Sequence, residues 1–461
     1  MSAYIFFVVL ILSTFSINGE VLDLEFLIAE SIRMSESVRA EDLRREKTAY
    51  ERKSTAMKFF PKTSVELKML DLSYYPEPQP MMVDVGPVID VLDETINESS
   101  PIPIDFPETI PPVEVPIEMP SHQRQLELML VQPVTNLWEI YQGYKAKDLL
   151  HEIQKLKVTL KKEEILRTVT AYYYTYNMAG EVLELLKETE SQLDRYKRTA
   201  KSFIDSGMSD RRPLLKIKVE QASVAAEKEK YFGLKAVIKS AIALMIERDE
   251  TTFEIKSEKP LFVKLNTSPG ELVARQTEQR PEYKLLVKSD GIRDRLDKMS
   301  LQPLIPQVAF TLGFRKNWDY TYIDPEGVFF IGGVLSWDFG FSAAGNYFNT
   351  RAVKVESIAT KLDNIKLQKD MQLQARKLHS EIAVLEKTIE LNERQIEAAE
   401  ESLRIEEAKF EKQMTTETEL LNSSLMLRKA KTEKISNLYK HSIAVIELSS
   451  ITGIPLDFLT Q

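Results

Sequence analysis

Hydrophobic side chains recur every seven positions through a stretch, Asn346 to Thr452, that contains no glycine or proline. The two offset series are Ile382, Ile389, Ile396, Leu403, Phe410 and Met371, Leu378, Leu385, Asn392, Ala399. Their 3,4 spacing is typical of a coiled-coil seam, and a strict seven-residue repeat predicts left-handed supercoiling. The rhythm breaks from Lys412 to Thr418, which predicts two antiparallel helices, 346–412 and 417–450, joined by a polar turn.

An earlier part of the chain carries the same kind of pattern. Apolar residues again recur every seven positions, which predicts helices at 136–205 and 210–247 with a turn at Asp205 to Pro213. The pattern then lapses into a mixed segment, 248–269. The sequence therefore predicts two long helical hairpins.

Alternating apolar and polar residues predict two strand pairs, 64–74 with 124–134 and 307–319 with 327–337. In the third of these strands Arg315 and Asp319 share the polar face. Lipid on one side and water on the other explains this split better than a packed core does. An amphipathic helix is predicted before each strand pair, at Val21 to Lys58 and at Glu271 to Met299.

The order of elements is therefore a tandem repeat of helix, strand pair and long helical hairpin. The first repeat spans 20–269 and the second spans 270–461, and the two hairpin turns align at an offset of 206 that places Leu214 on Leu420. Four strands are too few to close a membrane barrel, for which about eight is the minimum. Since open sheet edges are not tolerated in lipid, we expect three copies to pool twelve strands.

The amino terminus has the features of an export signal. An uncharged apolar run from Tyr4 to Ile17 is too short to span a bilayer, and it matches the core of a signal peptide over residues 1–19. A buried strand or an anchor is the alternative interpretation.

One loop, 75–123, stands out by composition. Between Met69 and Gln123 there are 11 acidic residues and no lysine or arginine, and 11 of the 21 prolines lie between Pro76 and Pro120. Such a segment is expected to be extended and solvated. The alternative is an acidic collar that attracts cations or shields a pore mouth.

Composition restricts the chemistry of the chain. There is no cysteine, which excludes disulfides and thiolate sites. The histidines lie far apart and are expected to be solvated or on helix faces rather than metal ligands: His122, His151, His379 and His441. A net charge of −9 disfavours nucleic-acid binding. We expect no catalytic site, cofactor or metal.

Several short motifs accompany this order of elements. They are Phe60-Pro61, Gln132-Pro133-Val134, Arg280-Pro281-Glu282, the first-turn motif Gly207-Met208-Ser209 with Leu214-Leu215, and the second-turn motif Thr416 with Glu419-Leu420-Leu421. In this combination the mature chain, except for the acidic loop, resembles the TolC family of outer-membrane factors.

The resemblance implies a mainly α fold with a membrane β part. Three chains form a 12-stranded barrel in the outer membrane of a Gram-negative bacterium, continued by a long antiparallel coiled-coil helical barrel in the periplasm. The resemblance further implies that this homotrimer is a passive duct for efflux or type I secretion, with a periplasmic adaptor and an inner-membrane transporter as partners.

The resemblance also implies site residues. The second turn carries an acidic entrance ring, onto which Glu419 and Asn422 align. The adaptor-docking tips map to Gly207, Met208, Ser209, Gln413, Met414, Thr415 and Thr416. The side chains that hold the family's closed state are replaced here by Phe410, Thr415 and Pro213, and the usual second-turn glycine is Gln413.

Two other functions stay open. An exported periplasmic adaptor or coiled-coil interaction protein also uses long hairpins, although an adaptor has one hairpin within a β-rich region. The other alternative is an enzyme, which no nucleophile or phosphate-loop constellation in the sequence supports.

Overall fold

The computed structural model describes residues 20–71, 79–83, 113–117, 122–260, 262–319 and 327–453. The predicted signal peptide, much of the acidic loop and residues 454–461 lie outside these ranges. The described elements, in chain order, are β1 (Glu20–Leu22), α1 (Leu24–Met34), α2 (Glu36–Met57), β2 (Lys62–Asp71), β3 (Gln79–Val83), β4 (Val113–Ile117), β5 (His122–Pro133), α3 (Asn136–Asp205), α4 (Arg212–Met245), β6 (Phe253–Ile255), α5 (Pro269–Gln279), α6 (Pro281–Met299), a 3₁₀ turn (Gln302–Leu304), β7 (Gln307–Asn317), β8 (Val328–Ser336), α7 (Phe341–Glu411) and α8 (Glu417–Thr452).

The chain divides into two compact units, each of which draws on both sequence repeats. One unit comprises 53–144 and 296–353, and the other comprises 1–52, 145–295 and 354–461. We call them the sheet unit and the helical unit. The mainly α fold with a separate β part is confirmed.

The sheet unit is built on four antiparallel strands in the order β2-β5-β7-β8. Both predicted pairs form, and β5 pairs with β7, so the strands of the two repeats join in one sheet. Directly opposed residues include Leu67 with Leu126 and Leu312 with Ile331. Opposed side chains in a ladder lie on the same face, so one face collects apolar positions from all four strands, whereas β8 also places Phe330 and Val334 on the other face.

The helical unit contains two hairpins, which we call hairpin 1 (α3 and α4) and hairpin 2 (α7 and α8). The predicted seam of α7 is confirmed, since Met371, Leu378, Ile382, Ile389, Leu403 and Phe410 are buried. The same heptad phase also buries polar side chains, namely Ser357, Asn364 and Asn392. Near the turns, residues of both hairpins share one core, in which Leu193, Ile217, Leu403 and Leu420 are buried.

Each repeat begins with two helices instead of the single helix that the pattern predicted. In the first repeat α1 ends at Met34, and the next residue, Ser35, caps the start of α2, since its Oγ accepts a hydrogen bond from the Val38 amide at 3.3 Å. In the second repeat the break falls at Arg280, because a residue before proline is disfavoured in the helical region. Ser35 and Arg280 are equivalent: an offset of 245 also relates Leu24 to Pro269 and Lys62 to Gln307.

Two segments without a helical pattern also form strands. In the mixed segment, β6 pairs in parallel with β1 at the start of the described chain. Within the acidic loop, β3 pairs antiparallel with β4, with Pro80 opposite Pro116. These residues are extended, and they also form a short hydrogen-bonded ladder that the composition did not predict, since proline's fixed φ suits an extended strand.

Among the described residues, no helix is both long enough and apolar enough to cross a membrane.

Candidate functional site

The first hairpin turn ends α3 with a compact C-cap. Gly207 has a φ of 73°, its amide bonds to the Ile204 carbonyl at 3.0 Å, and the Met208 amide reaches back to the Phe203 carbonyl at 2.9 Å. This pair of bonds is a Schellman motif, which satisfies carbonyls at the helix end and needs a left-handed residue. It leaves Met208 60% exposed at the tip.

The second turn repeats this geometry on α7. Gln413 has a φ of 60°, its amide bonds to the Phe410 carbonyl at 3.0 Å, and the Met414 amide bonds to the Lys409 carbonyl at 2.8 Å. Gln413 therefore adopts the conformation that glycine has in the first turn. Met414 is 73% exposed, as its counterpart Met208 is exposed.

A capping box starts α8 immediately after this turn. The Glu419 amide donates to Thr416 Oγ1 at 3.3 Å, and the Thr416 amide donates to Glu419 Oε2 at 3.4 Å. Thr415 Oγ1 donates to the same Glu419 oxygen at 2.5 Å. Glu419 thus lies in the first turn of α8, next to the second hairpin turn.

These bonds favour the ionised form of the Glu419 side chain. The hydrogen bond from Thr415, followed by that from the Thr416 amide, lowers the pKa of this exposed carboxyl below 4.5. Within one chain this shift is opposite to the increase in pKa that repulsion between three carboxylates in a ring would cause. Asn422, the other predicted ring position, is exposed one turn further along α8.

The structure brings the two predicted tips together. Gln413 Nε2 lies 3.7 Å from Met208 Sδ, and the rings of Phe203 and Phe410 meet at 5.9 Å. Lys216 Nζ on α4 contacts Glu417 Oε1 and Thr418 Oγ1 on α8, each at 2.7 Å. The tips form one surface with two exposed methionines, whose side chains are flexible and apolar.

Further ties between the hairpins were not predicted from sequence. The buried Arg428 of α8 pairs with Glu220 of α4 at 2.8 Å and approaches Glu227 at 3.7 Å. Tyr196 Oη of α3 donates to Glu407 Oε1 of α7 at 2.5 Å. Each tie joins residues about 200 positions apart, so no local pattern signals it.

The positions that resemble the family's closed-state contacts have other roles. Phe410 is buried in the shared core, and Pro213 lies in the first turn of α4. Thr415 Oγ1 lies 2.6 Å from Glu406 Oε2 and 2.5 Å from Glu419 Oε2, so its one hydroxyl proton is donated to one of these carboxylates at a time, and both contacts lie within hairpin 2. Among the described residues, the Lys216–Glu417 and Arg428–Glu220 ion pairs link the two hairpins.

The sheet unit provides a second candidate surface. One face carries exposed apolar side chains from all four strands: Val65, Leu67, Met69, Leu128, Phe310, Leu312, Phe329, Ile331 and Leu335. On the opposite face the buried Glu127 pairs with Arg315 at 3.5 Å. On this polar face the Phe330 ring covers Gly313. A Cβ added at Gly313 would lie 2.2 Å from the ring, so only glycine fits at this position.

The described residues contain no group of three or more histidine, cysteine, aspartate or glutamate side chains placed to hold a metal ion.

Comparisons with known proteins identify the fold. No family model and no curated protein matches the sequence. Among solved structures, CusC, described as forming a transmembrane channel, is similar with a TM-score of 0.75 and 11% identity, over 94% of this chain and 93% of CusC. The outer-membrane channel OprN is similar with a TM-score of 0.74 and 13% identity, over 94% of this chain and 90% of OprN.

A third similar structure is that of the outer-membrane protein VceC from Vibrio cholerae, at a TM-score of 0.71 and 12% identity, over 93% of this chain and 96% of VceC. The similarity covers both the sheet unit and the helical unit. This chain has the fold of the TolC family of outer-membrane channels.

Proposed function

We propose that this chain is the protomer of a homotrimeric outer-membrane duct, which passively exports substrates for an efflux or type I secretion system. The sheet unit of each protomer contributes four strands to a shared 12-stranded barrel. The two hairpins form the periplasmic part of the duct. An inner-membrane transporter supplies the energy, and a periplasmic adaptor connects it to the hairpin tips.

The four-stranded sheet carries this proposal. Its apolar face is solvent-exposed in the single chain, with Ile331 84% exposed and Phe329 79% exposed. In water such a surface would be strongly unfavourable, whereas it matches the lipid-facing band of a membrane barrel. The polar face, with the Glu127–Arg315 pair, suits a water-filled interior.

The sheet edges support a barrel that is shared between copies of the chain. Among the described residues, β2 pairs only with β5, and β8 pairs only with β7, so both edges of the sheet have free backbone groups. Hydrocarbon does not tolerate unpaired edges, so β8 of one protomer would pair with β2 of the next. Twelve strands exceed the minimum of about eight that a closed barrel needs.

The hairpin tips support the docking of an adaptor. The exposed Met208 and Met414 lie on equivalent turns that the structure brings together. We propose that an adaptor contacts this surface, formed by Gly207, Met208, Ser209, Gln413, Met414, Thr415 and Thr416.

The adaptor alternative gives no role to the apolar face of the sheet. It predicts a protein that stays in the aqueous phase after export and forms no channel. We therefore favour the duct.

The decisive experiment is planar-bilayer recording on the purified, processed chain, combined with a measurement of its mass in detergent. We expect a trimer that produces discrete ion conductance. A stable trimer inserted in lipid vesicles that shows no conductance would contradict the duct. A protein recovered only from the aqueous periplasmic fraction would favour the adaptor.

A further inference from the structure

A segment without regular structure crosses the helical unit between β6 and α5. We call it the strap; it spans residues 256–268, of which 256–260 and 262–268 are described. Its first amide, that of Lys256, bonds to the Leu22 carbonyl at 2.9 Å. At its end Ser268 and Glu271 exchange side-chain and backbone bonds at 3.3 Å that start α5.

Between these ends, side chains of α7 hold the strap. His379 Nε2 lies 2.9 Å from the Thr267 carbonyl, and Glu386 Oε1 accepts a 2.8 Å bond from the Leu265 amide. Glu390 pairs with Lys264 at 2.7 Å. Positions 379, 386 and 390 are seven and four residues apart, so they lie on one face of the helix.

Helix α8 adds a buried histidine beneath the strap. His441 is 1% exposed, and its ring packs against Phe262 of the strap at 5.0 Å. Its Nε2 lies 3.7 Å from Glu386 Oε1, and neither ring nitrogen makes a hydrogen bond. Glu386 therefore lies between the His441 ring and the Leu265 amide.

We propose that this arrangement is an acid-sensitive clasp, in which protonation of His441 releases the strap from hairpin 2. A proton on His441 places a positive charge where no water reaches it, facing one carboxylate. Glu386 then turns toward the imidazolium and leaves the Leu265 amide. The strap loses a backbone hydrogen bond and the packing of its Phe262 ring against His441.

The pH dependence follows from the burial of the ring. Burial lowers the pKa of His441, and the Glu386 charge offsets part of this effect. A lowered histidine pKa means that the attached state binds fewer protons than the released state. The attachment of the strap to hairpin 2 is thus fully stable above the ordinary imidazole pKa of about 6.5, and it weakens as pH falls below this value.

Other charged groups around His441 do not explain a transition in this window. Lys264 and Lys387 hold the pKa of Glu390 at about 2, and Lys256 lowers that of Glu258 on the strap. The Tyr439 hydroxyl of α8 donates to the Glu258 carbonyl at 3.4 Å, and burial raises its pKa. His379 Nε2 contacts the Thr267 carbonyl, two residues from the Leu265 amide.

Glu181 of α3 is the remaining candidate. Burial raises its pKa, but it faces Tyr439, and its charge does not act on His441. It therefore supplies a control for the experiment.

The test is hydrogen exchange of the strap in the purified full chain, from pH 7.5 to 5.0, corrected for the intrinsic exchange rate. Protection of the Leu265 amide should fall in acid by up to about 30-fold, the limit for one imidazole with a pKa of about 6.5 in the released state. His441→Phe keeps an aromatic ring against Phe262, and its strap should stay protected at pH 5.0.

Two controls separate the clasp from general acid loosening. Glu181→Gln should keep the parent's pH dependence, and His379→Gln should lower protection equally at every pH. If His441→Phe does not fold, His441→Gln serves the same purpose. Strap protection that is independent of pH, or equally acid-sensitive in the His441 variant, would overturn the clasp, and neither result depends on channel activity.

Discussion

Gly207 and Gln413 occupy the same position in two Schellman turns 206 residues apart, and both have positive φ angles, of 73° and 60°. Glycine adopts this conformation without a steric penalty, whereas a residue with a Cβ pays about 1 kcal/mol or more. The second turn thus has the same backbone conformation as the first, although glutamine is less suited to a positive φ than glycine is.

Gln413→Gly should therefore stabilise the second turn by about 1 kcal/mol. The measurement is the melting temperature of the purified protein at fixed protein and detergent concentrations, which should rise. Gln413→Ala is the matched control, since it also removes the side chain near Met208 but keeps the unfavourable φ. A glycine variant that melts no higher than the alanine variant would refute this account.

Glu419 should keep its charge in moderately acidic solution. The Thr415 bond lowers its pKa, so its negative charge is present above the ordinary value of 4.5 and is lost only as pH falls further. In the proposed duct, Glu419→Gln should reduce cation selectivity or block by multivalent cations at neutral pH. Thr415→Val should leave selectivity at pH 7 intact and move its loss to higher pH. The measurement is the reversal potential in a salt gradient, from pH 7 to 4.

Parent and Glu419→Gln channels with equal selectivity would show that Glu419 does not line the entrance. Glu406→Gln is the control for the loss of a carboxylate next to Thr415. The Glu406 carboxylate also contacts the Thr415 hydroxyl, but it lies on α7.

The long-range order of this chain could be predicted because it rests on periodicity. The heptads predicted the buried seam of α7, and strand alternation predicted the polar position of Arg315. Periodicity reports only which face is buried, so it did not reveal that the same seam also buries Asn364 and Asn392.

Features that depend on single residues or on distant pairs were missed. The helix break at Ser35 depends on one capping hydroxyl, and the strap is held by side chains more than 100 positions away. The Arg428–Glu220 pair joins two hairpins whose separation in sequence leaves no local signal. The candidate tips were found through the resemblance, whereas the ties that join them needed the structure.

Those ties between hairpins should restrain the entrance of the proposed duct. Arg428 is buried against Glu220, so removal of its charge leaves a carboxylate without its counter-ion, at a cost of about 3–5 kcal/mol. Arg428→Gln should therefore loosen hairpin 2 from hairpin 1 and increase single-channel conductance. Glu220→Gln in the same chain should restore part of the loss in stability.

Lys431→Gln is the matched control, because Lys431 pairs with Glu400 at 2.7 Å within hairpin 2. It should leave conductance unchanged. An Arg428 variant that conducts as the Lys431 variant does would mean that the hairpins are not restrained by this pair.

The apolar face of the sheet can be tested by one charge placed at its centre. Ile331 lies midway along β8 and is 84% exposed. If it faces lipid, Ile331→Lys costs about 2–4 kcal/mol per protomer at the middle of the bilayer and should impair insertion.

Leu244→Lys is the control: Leu244 is 80% exposed on α4 in the helical unit, where water tolerates a lysine. The measurement is the fraction of protein that resists extraction from lipid vesicles by alkaline carbonate. Equal insertion of the two variants would show that this face of the sheet does not contact lipid, and the duct would lose the observation that carries it.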